Sequence, residues 1–419
     1  MDLLIPVVVL AVLFDFINGF HDSANAISTV VATRVLKPWQ AVSVAGLANF
    51  VGPFIFGVAV AKAVQGDILH FEKGSFLTSD PTLGLSVILA SLVGAIVWNL
   101  ATWKWGIPSS SSHALLGGLI GAGLAGGGLA AVKWPHADQL LLFGQVALPA
   151  TVLGVLAGWL FALVVPDTKR GGALFFGGYV GLSVASIWTV LKGPAPSWLP
   201  HADLGTVGKT ILFMVVSPFL GFVAAFLVTV LVMVLFRKVH YGKVNRGFGH
   251  MQVLSSAFYS LTHGTNDGQK TMGVIAGALA LAGVAASGLP GGEFHSAGAA
   301  TGIPTFVVFL AATAIGLGTM FGGWRIVRTM ATKITDLQPY QGFSAETGGG
   351  VALYFMAANG IPVSTTHAIS GSIMGVGATR SMSAVQWGVA RRIVMAWVIT
   401  IPASALMAAI VFWLMHLLV

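Results

Sequence analysis

The sequence predicts an all-α polytopic membrane protein whose two halves repeat each other in inverted topology. Three observations predict it. The composition is too apolar for water, a series of apolar stretches is long enough to cross a bilayer, and two polar motifs each occur twice in the same order. Of 419 residues, 21 are Lys or Arg and 13 are Asp or Glu, so 8% are charged, about a third of the usual globular share. Apolar residues make up 56% and the mean hydropathy is +0.88. A soluble fold of this length would need far more polar surface. The composition therefore excludes an ordinary cytosolic enzyme, a disordered chain and a nucleic-acid binder, even with a net charge of +8 and a pI near 9.8. In a membrane protein such a basic excess gathers in cytoplasmic loops. With no cysteine, disulfides, thiol redox work and thiolate metal sites are excluded too.

The elements follow in order. The amino-terminal run MDLLIPVVVLAVLFDFINGF carries Asp2 where a signal peptide has basic residues, and lacks a small-residue cleavage site. It is expected to be the first membrane helix. Further apolar stretches lie at about 39–61, 84–103, 107–131, 139–165, 172–191, 209–236, 251–285, 302–323, 350–376 and 386–418. At about 20 residues per span, the chain has room for roughly 10–12 transmembrane segments. Several stretches are cut by Gly-Pro or polar runs, which the bilayer tolerates where irregular backbone is buried in protein or lines a wet cavity. Residues 237–250, RKVHYGKVNRGFGH, hold four basic residues and no acid. They read as a short cytoplasmic linker between a first repeat with additional helices (1–236) and a second repeat (251–419).

The duplication rests on residues. GFHDSANAISTVVATRV (19–35) resembles HGTNDGQKTMGVIAGAL (263–279), with Asp22 on Asp267. GIPSSSSHALLGGLIG (106–121) resembles GIPVSTTHAISGSIMG (360–375), with His113 on His367. The loop after the first motif, TRVLKP, is basic, whereas its counterpart GLPGGEFHSAGAATG has one acid and no Lys or Arg. The next loop, 62–80, holds two basic and three acidic groups against three and two in 325–346. The sign reverses both times, as expected of halves that cross the membrane in opposite directions, with the amino terminus outside. Trp39, Trp98, Trp103 and Trp105 read as interfacial anchors near span ends.

Charged groups unable to reach a loop are Asp15, Asp22, Asp267 and Lys270. An acid near the bilayer centre costs at least about 2.5 kcal/mol on insertion scales, so it faces a cavity, a partner or an ion. On a helix, Asp22, Asn25, Ala26 and Thr29 share one face, giving oxygen donors suited to a small hard cation or an oxyanion. A hydrogen-bond patch between helices would use the same residue types, but the motif occurs twice. In the second copy, Lys270 stands where the first has Asn25. It either pairs with Asp267 or contacts the ligand, so the Asp22 side is expected to hold a mobile cation where the Asp267 side has a built-in one. Pro108 with Ser109, Ser110, Ser111 and Ser112, and Pro362 with Ser364, Thr365 and Thr366, are helix-start signals. Free helix amino ends and hydroxyls make an anion site, and such ends pointing inward from both repeats mark a midplane substrate site. Ser, Thr and Gly also serve helix packing in membranes, and the repetition after Gly-Ile-Pro weighs against that alternative. His113 and His367 end the hydroxyl runs, as packing residues or as a proton relay. Motifs for zinc sites, P-loops and dinucleotide folds are absent, and Glu293 with His295 is too few ligands for a metal site.

A dianion about 5 Å from one carboxylate is opposed by roughly 6–7 kcal/mol at an effective dielectric near 20. Cations bound with it remove that penalty and make the two bindings mutually reinforcing. Hydrogen phosphate has an O–H to donate to an aspartate, whereas sulfate has none. The residue types thus suggest cation-coupled transport of a protonated oxyanion.

GFHDSANAISTVVATRV, GIPSSSSH, HGTNDGQKTMG and GIPVSTTHAISGS resemble the paired signatures of the PiT family of inorganic phosphate transporters, over nearly the whole chain. The resemblance implies inverted repeats with broken helices and re-entrant hairpins, alternating access, and a homodimer in the cell's inner (plasma) membrane. It implies symport of inorganic phosphate with Na+ or H+, without a covalent cofactor; in some bacterial members the cargo is a neutral complex of phosphate with a divalent metal. By position the family's residues fall on Asp22, Asn25, Asn266 and Asp267 for the coupling cation. For the substrate they fall on Ser109 to Ser112 and Ser364 to Thr366, with Asn25 beside them; Lys270 is a further substrate candidate from the residue reading alone. The central linker is short, so regulation through a long hydrophilic insert is not expected. The alternatives are a sulfate permease of the same family and an uncoupled anion channel, against which the carboxylates speak. A membrane hydrolase lacks a nucleophile–base pair.

Overall fold

The computed structural model describes residues 3–66, 68–70, 75–164, 170–190, 202–296 and 299–418. Asp2, and Asp67, Glu72 and Lys73 of the first-half loop, lie outside them. Fifteen helices are described: α1 (Leu4–Ala32), α2 (Pro38–Phe56), α3 (Ala59–Gly66), α4 (Phe76–Ser79), α5 (Pro81–Trp105), α6 (Ser111–Gly127), α7 (Ala137–Val164), α8 (Arg170–Val190), α9 (Gly205–Leu235), α10 (Tyr241–Leu281), α11 (Thr305–Phe321), α12 (Trp324–Lys333), α13 (Pro339–Ala358), α14 (Thr365–Ala378) and α15 (Trp387–Leu418). The all-α expectation has one addition, an antiparallel hairpin of β1 (Glu293–Ser296) and β2 (Ala299–Pro304) in the loop before α11.

Among the described residues eight helices are long and apolar enough to cross a membrane: α1, α2, α5 to α9 and α15. The pair α11 and α12, bent by 65°, makes a ninth. The expected 10–12 segments exceed this because the remaining inner helices carry the polar residues of the motifs or are short. Helix α14, with 14 residues, is about 21 Å long, less than the roughly 30 Å hydrocarbon core. It enters the fold as a half-helix.

Helix α1 runs unbroken through Gly19, and α10 through Gly264 and Gly268. The glycines serve close approach instead: a Cβ on Gly19 would run into the Ile315 carbonyl of α11, and one on Gly264 into the Asn49 carbonyl of α2. The breaks lie between α2 and α3, at Gly57 (φ 78°), and between α11 and α12, at Gly322 (φ 72°). The basic segment 237–250 is only partly a linker, because α10 starts at Tyr241. Trp98 is buried, donating to Thr400 Oγ1 at 3.2 Å, and anchors α5 to α15 rather than to an interface.

Packing is reciprocal between the two copies: Phe16 and Leu261 are related by the offset of 245, and Gly117 and Gly121 to Gly371 and Gly375 by 254, and each meets the other half in the same way. Gly52 of α2 meets the Leu261 carbonyl of α10, and Gly318 of α11 meets the Phe16 carbonyl of α1. Gly117 and Gly121 of α6 bring its backbone against α15 at Ile401 and Ala405. Their counterparts Gly371 and Gly375 of α14 do the same against α9 at Pro218 and Phe222. Small residues at these crossings let dispersion and weak polar contacts hold helices together where lipid removes the hydrophobic drive. Two large clusters of buried apolar residues flank this centre. Helices α7 and α8 form a peripheral hairpin, zipped through Gly154, Gly158, Gly177 and Gly181, and α7 turns Leu141, Leu148, Leu153 and Phe161 outward.

Gly371→Ala should destabilise the fold by about 1–3 kcal/mol through overpacking, although alanine alone favours a helix by up to about 1 kcal/mol. Gly144→Ala, inside α7 with nothing within 4 Å of its Cβ, should melt at or above the parent. Thermal unfolding in detergent compares the two.

Candidate functional site

Helix α5 ends at Gly106 in the left-handed conformation (φ 65°), and α13 is followed by Gly360 likewise (φ 67°). Each glycine turns the chain so that Ile-Pro and the hydroxyl run lead into a new helix. Ser110 then caps α6 by accepting from the His113 N–H at 3.2 Å, and Ser364 caps α14 by accepting from the His367 N–H at 3.2 Å. The two amino ends deliver N–H groups and positive dipole ends to the polar turns of α1 and α10.

Asp22, His263 and Asp267 each bring a ligand atom into one cluster whose members lie within 4.8 Å of one another. Two bare carboxylates at that spacing would repel by about 3–4 kcal/mol at an effective dielectric near 20, and both are buried. On the Asp267 side the charge is answered from within. Lys270 Nζ donates to Asp267 and to Ser112 Oγ, and to the Val363 carbonyl at 2.8 Å. Thr365 donates to Asp267 Oδ2 at 2.9 Å, Ser112 to Oδ1 at 3.4 Å, and His263 Nε2 stands 3.2 Å from Oδ2. Asp22 has no ammonium; its neighbour is His21, whose Nδ1 is 2.7 Å from Oδ1 and whose Nε2 lies 3.1 Å from Thr102 and 3.4 Å from Ser109. Asn25 donates to Thr365 at 3.2 Å and Thr366 at 2.9 Å, tying α1 to the second hairpin. Ser111 Oγ and both amide atoms of Asn266 are buried with no partner among the described residues.

The structure thus gathers Asp22, Asn25, Asp267, Lys270, Ser112, Thr365 and Thr366. Ser110 and Ser364 act as helix caps. His113 and His367 meet each other edge-to-face at 4.7 Å, and His367 stacks on Trp397 at 3.8 Å. Neither hydrogen-bonds to Asp22 or Asp267 among the described residues. Thr29, expected to share the Asp22 face, donates instead to Glu346 at 2.6 Å.

Several residues escaped the sequence reading. His21 and His263 sit inside the quoted motifs beside the acids. Glu346, counted there as a loop charge, is buried two turns into α13 and accepts from Thr29, Gln252 at 3.2 Å and Ser255. A single acid in FSAETGGG carries no local sign of that depth. Gln269 satisfies the break after α2. Its Oε1 accepts from the N–H of Val60 at 2.7 Å and of Ala61 at 3.2 Å, and its Nε2 donates to the Gly57 carbonyl.

Residues 18–171 and 173–408 match the Phosphate transporter family. The chain belongs to that family. A probable low-affinity inorganic phosphate transporter of Rhizobium meliloti (strain 1021) is 41% identical, over 98% of this chain and 96% of its own. One so described from Bacillus subtilis (strain 168) is 36% identical over 99% and 98%. These relatives are named as transporters, not enzymes. A solved structure titled "The sodium-dependent phosphate transporter" superposes with a TM-score of 0.66 at 26% identity, covering all of both chains. With these relatives and its apolar helices, this family member is a multi-pass membrane protein.

Lys270→Met leaves the Asp267 carboxylate buried without its ammonium and should cost about 3–5 kcal/mol. Adding Asp267→Asn should recover most of that loss. A double-mutant cycle of melting temperatures in detergent reads the coupling.

Proposed function

We propose that this phosphate transporter family member is a cation-coupled symporter that imports inorganic phosphate by alternating access across the cell's inner (plasma) membrane. The observation that carries the reading is the meeting of Asp22 and Asp267 beside the two hairpin amino ends. An oxyanion there gains the N–H groups and hydroxyls of α6 and α14 but faces two carboxylates. Lys270 answers one of them permanently. The other, Asp22, calls for a mobile cation, for which its carboxylate, the Asn25 amide and the neighbouring hydroxyls are hard oxygen donors. In that arrangement the unpartnered Ser111 hydroxyl and Asn266 amide are free to bind the anion or its cation. Hydrogen phosphate can donate its O–H to Asp22, which favours it over sulfate.

Alternating access draws on the reciprocal packing. Helices α1 and α10 each cross the partner half's broken helix, so one half can rock against the other around a fixed site. The exposed Arg237, Lys238, Lys243 and Arg246 support a cytoplasmic junction between α9 and α10 and hence an outside amino terminus. With Glu346 buried, the loop around α12 keeps Arg325, Arg328 and Lys333 against Asp336, which strengthens the sign reversal. A second reading, phosphate carried with a divalent metal, uses the Asp22, His263 and Asp267 cluster. It requires the Lys270 ammonium to leave Asp267.

Asp22→Asn and Asp267→Asn should each abolish concentrative phosphate uptake in proteoliposomes, a loss of at least about 100-fold, ~2.7 kcal/mol, while the protein stays inserted. Normal uptake by both would remove the carboxylates from the mechanism. Excess sulfate should leave radiolabelled phosphate uptake unchanged, and chelating divalent metals should do the same if the monovalent reading holds.

A further inference from the structure

Of the four charged groups placed at membrane depth, Asp15 takes no part in the site above. It lies on α1 two helical turns before Asp22, about 10 Å along the axis. Its carboxyl is fully buried. Oδ1 has the Asn18 amide N–H at 3.5 Å, beyond the usual hydrogen-bond range, and Oδ2 has no partner among the described residues. Two acceptors stand ready beside it: Asn18 Oδ1 and, across the contact with α10, Thr271 Oγ1. Both are buried, and among the described residues neither has a hydrogen-bond partner other than Asp15 itself.

The charged groups that act on Asp15 are Asp267 and Lys270 of α10, and Lys270 is already engaged by Asp267, Ser112 and Val363. Helices α2 and α11 carry no titratable residue. Lys104 of α5 and Arg325, Arg328 and Lys333 of α12 are exposed. His113 of α6 faces His367 of α14, and Glu346 of α13 is held by Thr29, Gln252 and Ser255. On α1 itself, His21 and Asp22 pair with each other. An ionised carboxylate with no counter-ion of its own, and only the Thr271 hydroxyl and the distant Asn18 amide to donate to it, is disfavoured in such a place. The neutral acid, with an O–H to give to Asn18 or Thr271, fits it. The second half has no equivalent, since the offset of 245 places Ser260 there, and Ser260 donates to the Ser256 carbonyl at 2.8 Å.

We propose that Asp15 is a proton-binding carboxyl of the transport cycle, neutral while the site is sealed and releasing its proton when α1 opens to water on one side. The proposal rests on the symporter reading and names a proton as a coupling ion. The proton enters on an Asp15 oxygen from the outer solution, crosses with the substrate and leaves to the inner solution, with no other bond made or broken.

The test reconstitutes the full chain in vesicles loaded with a pH-sensitive dye and follows phosphate uptake in sodium-free buffer, with and without an inward proton gradient. The parent should take up phosphate at least tenfold faster with the gradient and acidify the lumen. Asp15→Asn, nearly isosteric with the neutral acid, should lose the stimulation and the acidification while still exchanging internal for external phosphate. Asp15→Glu should regain both. Gradient stimulation of Asp15→Asn equal to the parent's, loss of exchange together with uptake, or parental uptake that follows sodium alone without acidification would each overturn the proposal. No phosphate uptake by the parent under either a proton or a sodium gradient would instead overturn the symporter reading.

Discussion

Two carboxylates buried at one point inside a bilayer set the terms for everything around them. Asp22 and Asp267 stand close enough to repel by several kilocalories per mole, in surroundings where water cannot screen them. The chain surrounds Asp267 with an ammonium, two hydroxyls and an imidazole, and leaves Asp22 with an imidazole alone among the described side chains. Polar groups without partners in hydrocarbon are costly, which is why the hydroxyl runs, the helix caps and the amides of Asn25, Asn49 and Gln269 all converge on the same few turns.

That convergence needs backbones brought unusually close. Glycines at corresponding places on α1 and α10, and again on α6 and α14, remove the Cβ that would keep the helices apart. The polar centre is then held by backbone-to-backbone contact on every side, and the apolar clusters lie outside it. Asn49 illustrates the link between packing and site. Its backbone takes the close approach of Gly264, while its side chain donates to Thr319 at 2.7 Å and meets His263 Nδ1 at 3.1 Å. His263 in turn touches Asp267, so the orientation of a site imidazole depends on where two helices cross.

The halves resemble each other in packing and differ in charge. One half carries a tethered ammonium beside its acid, whereas the other has Asp22 and a further acid at Asp15 and no ammonium. The asymmetry is a matter of single residues: Lys270 against Asn25, and Asp15 against Ser260.

The membrane class, the paired motifs and most of the polar residues that gather at the centre were legible in the sequence. Apolar run length is a local property, and Asp22, Asn25, Asp267 and the hydroxyl runs stand out as polar residues where hydrocarbon forbids them. Whether Lys270 would pair with Asp267 or face the ligand was open at that level, because a residue one turn away can do either; the Val363 carbonyl and Ser112, nearly a hundred residues or more distant, decided it. Glu346 read as a loop charge because α13 is too polar and too rich in glycine to look like a membrane helix, and the close approach at Gly19 left no local sign because propensity says nothing about a helix packed against it. His113 and His367 came together only through the packing of α6 and α14. Local chemistry determined which residues belong to the polar centre; their partners were decided by helix crossings between residues far apart in the chain, which only the folded structure brings together.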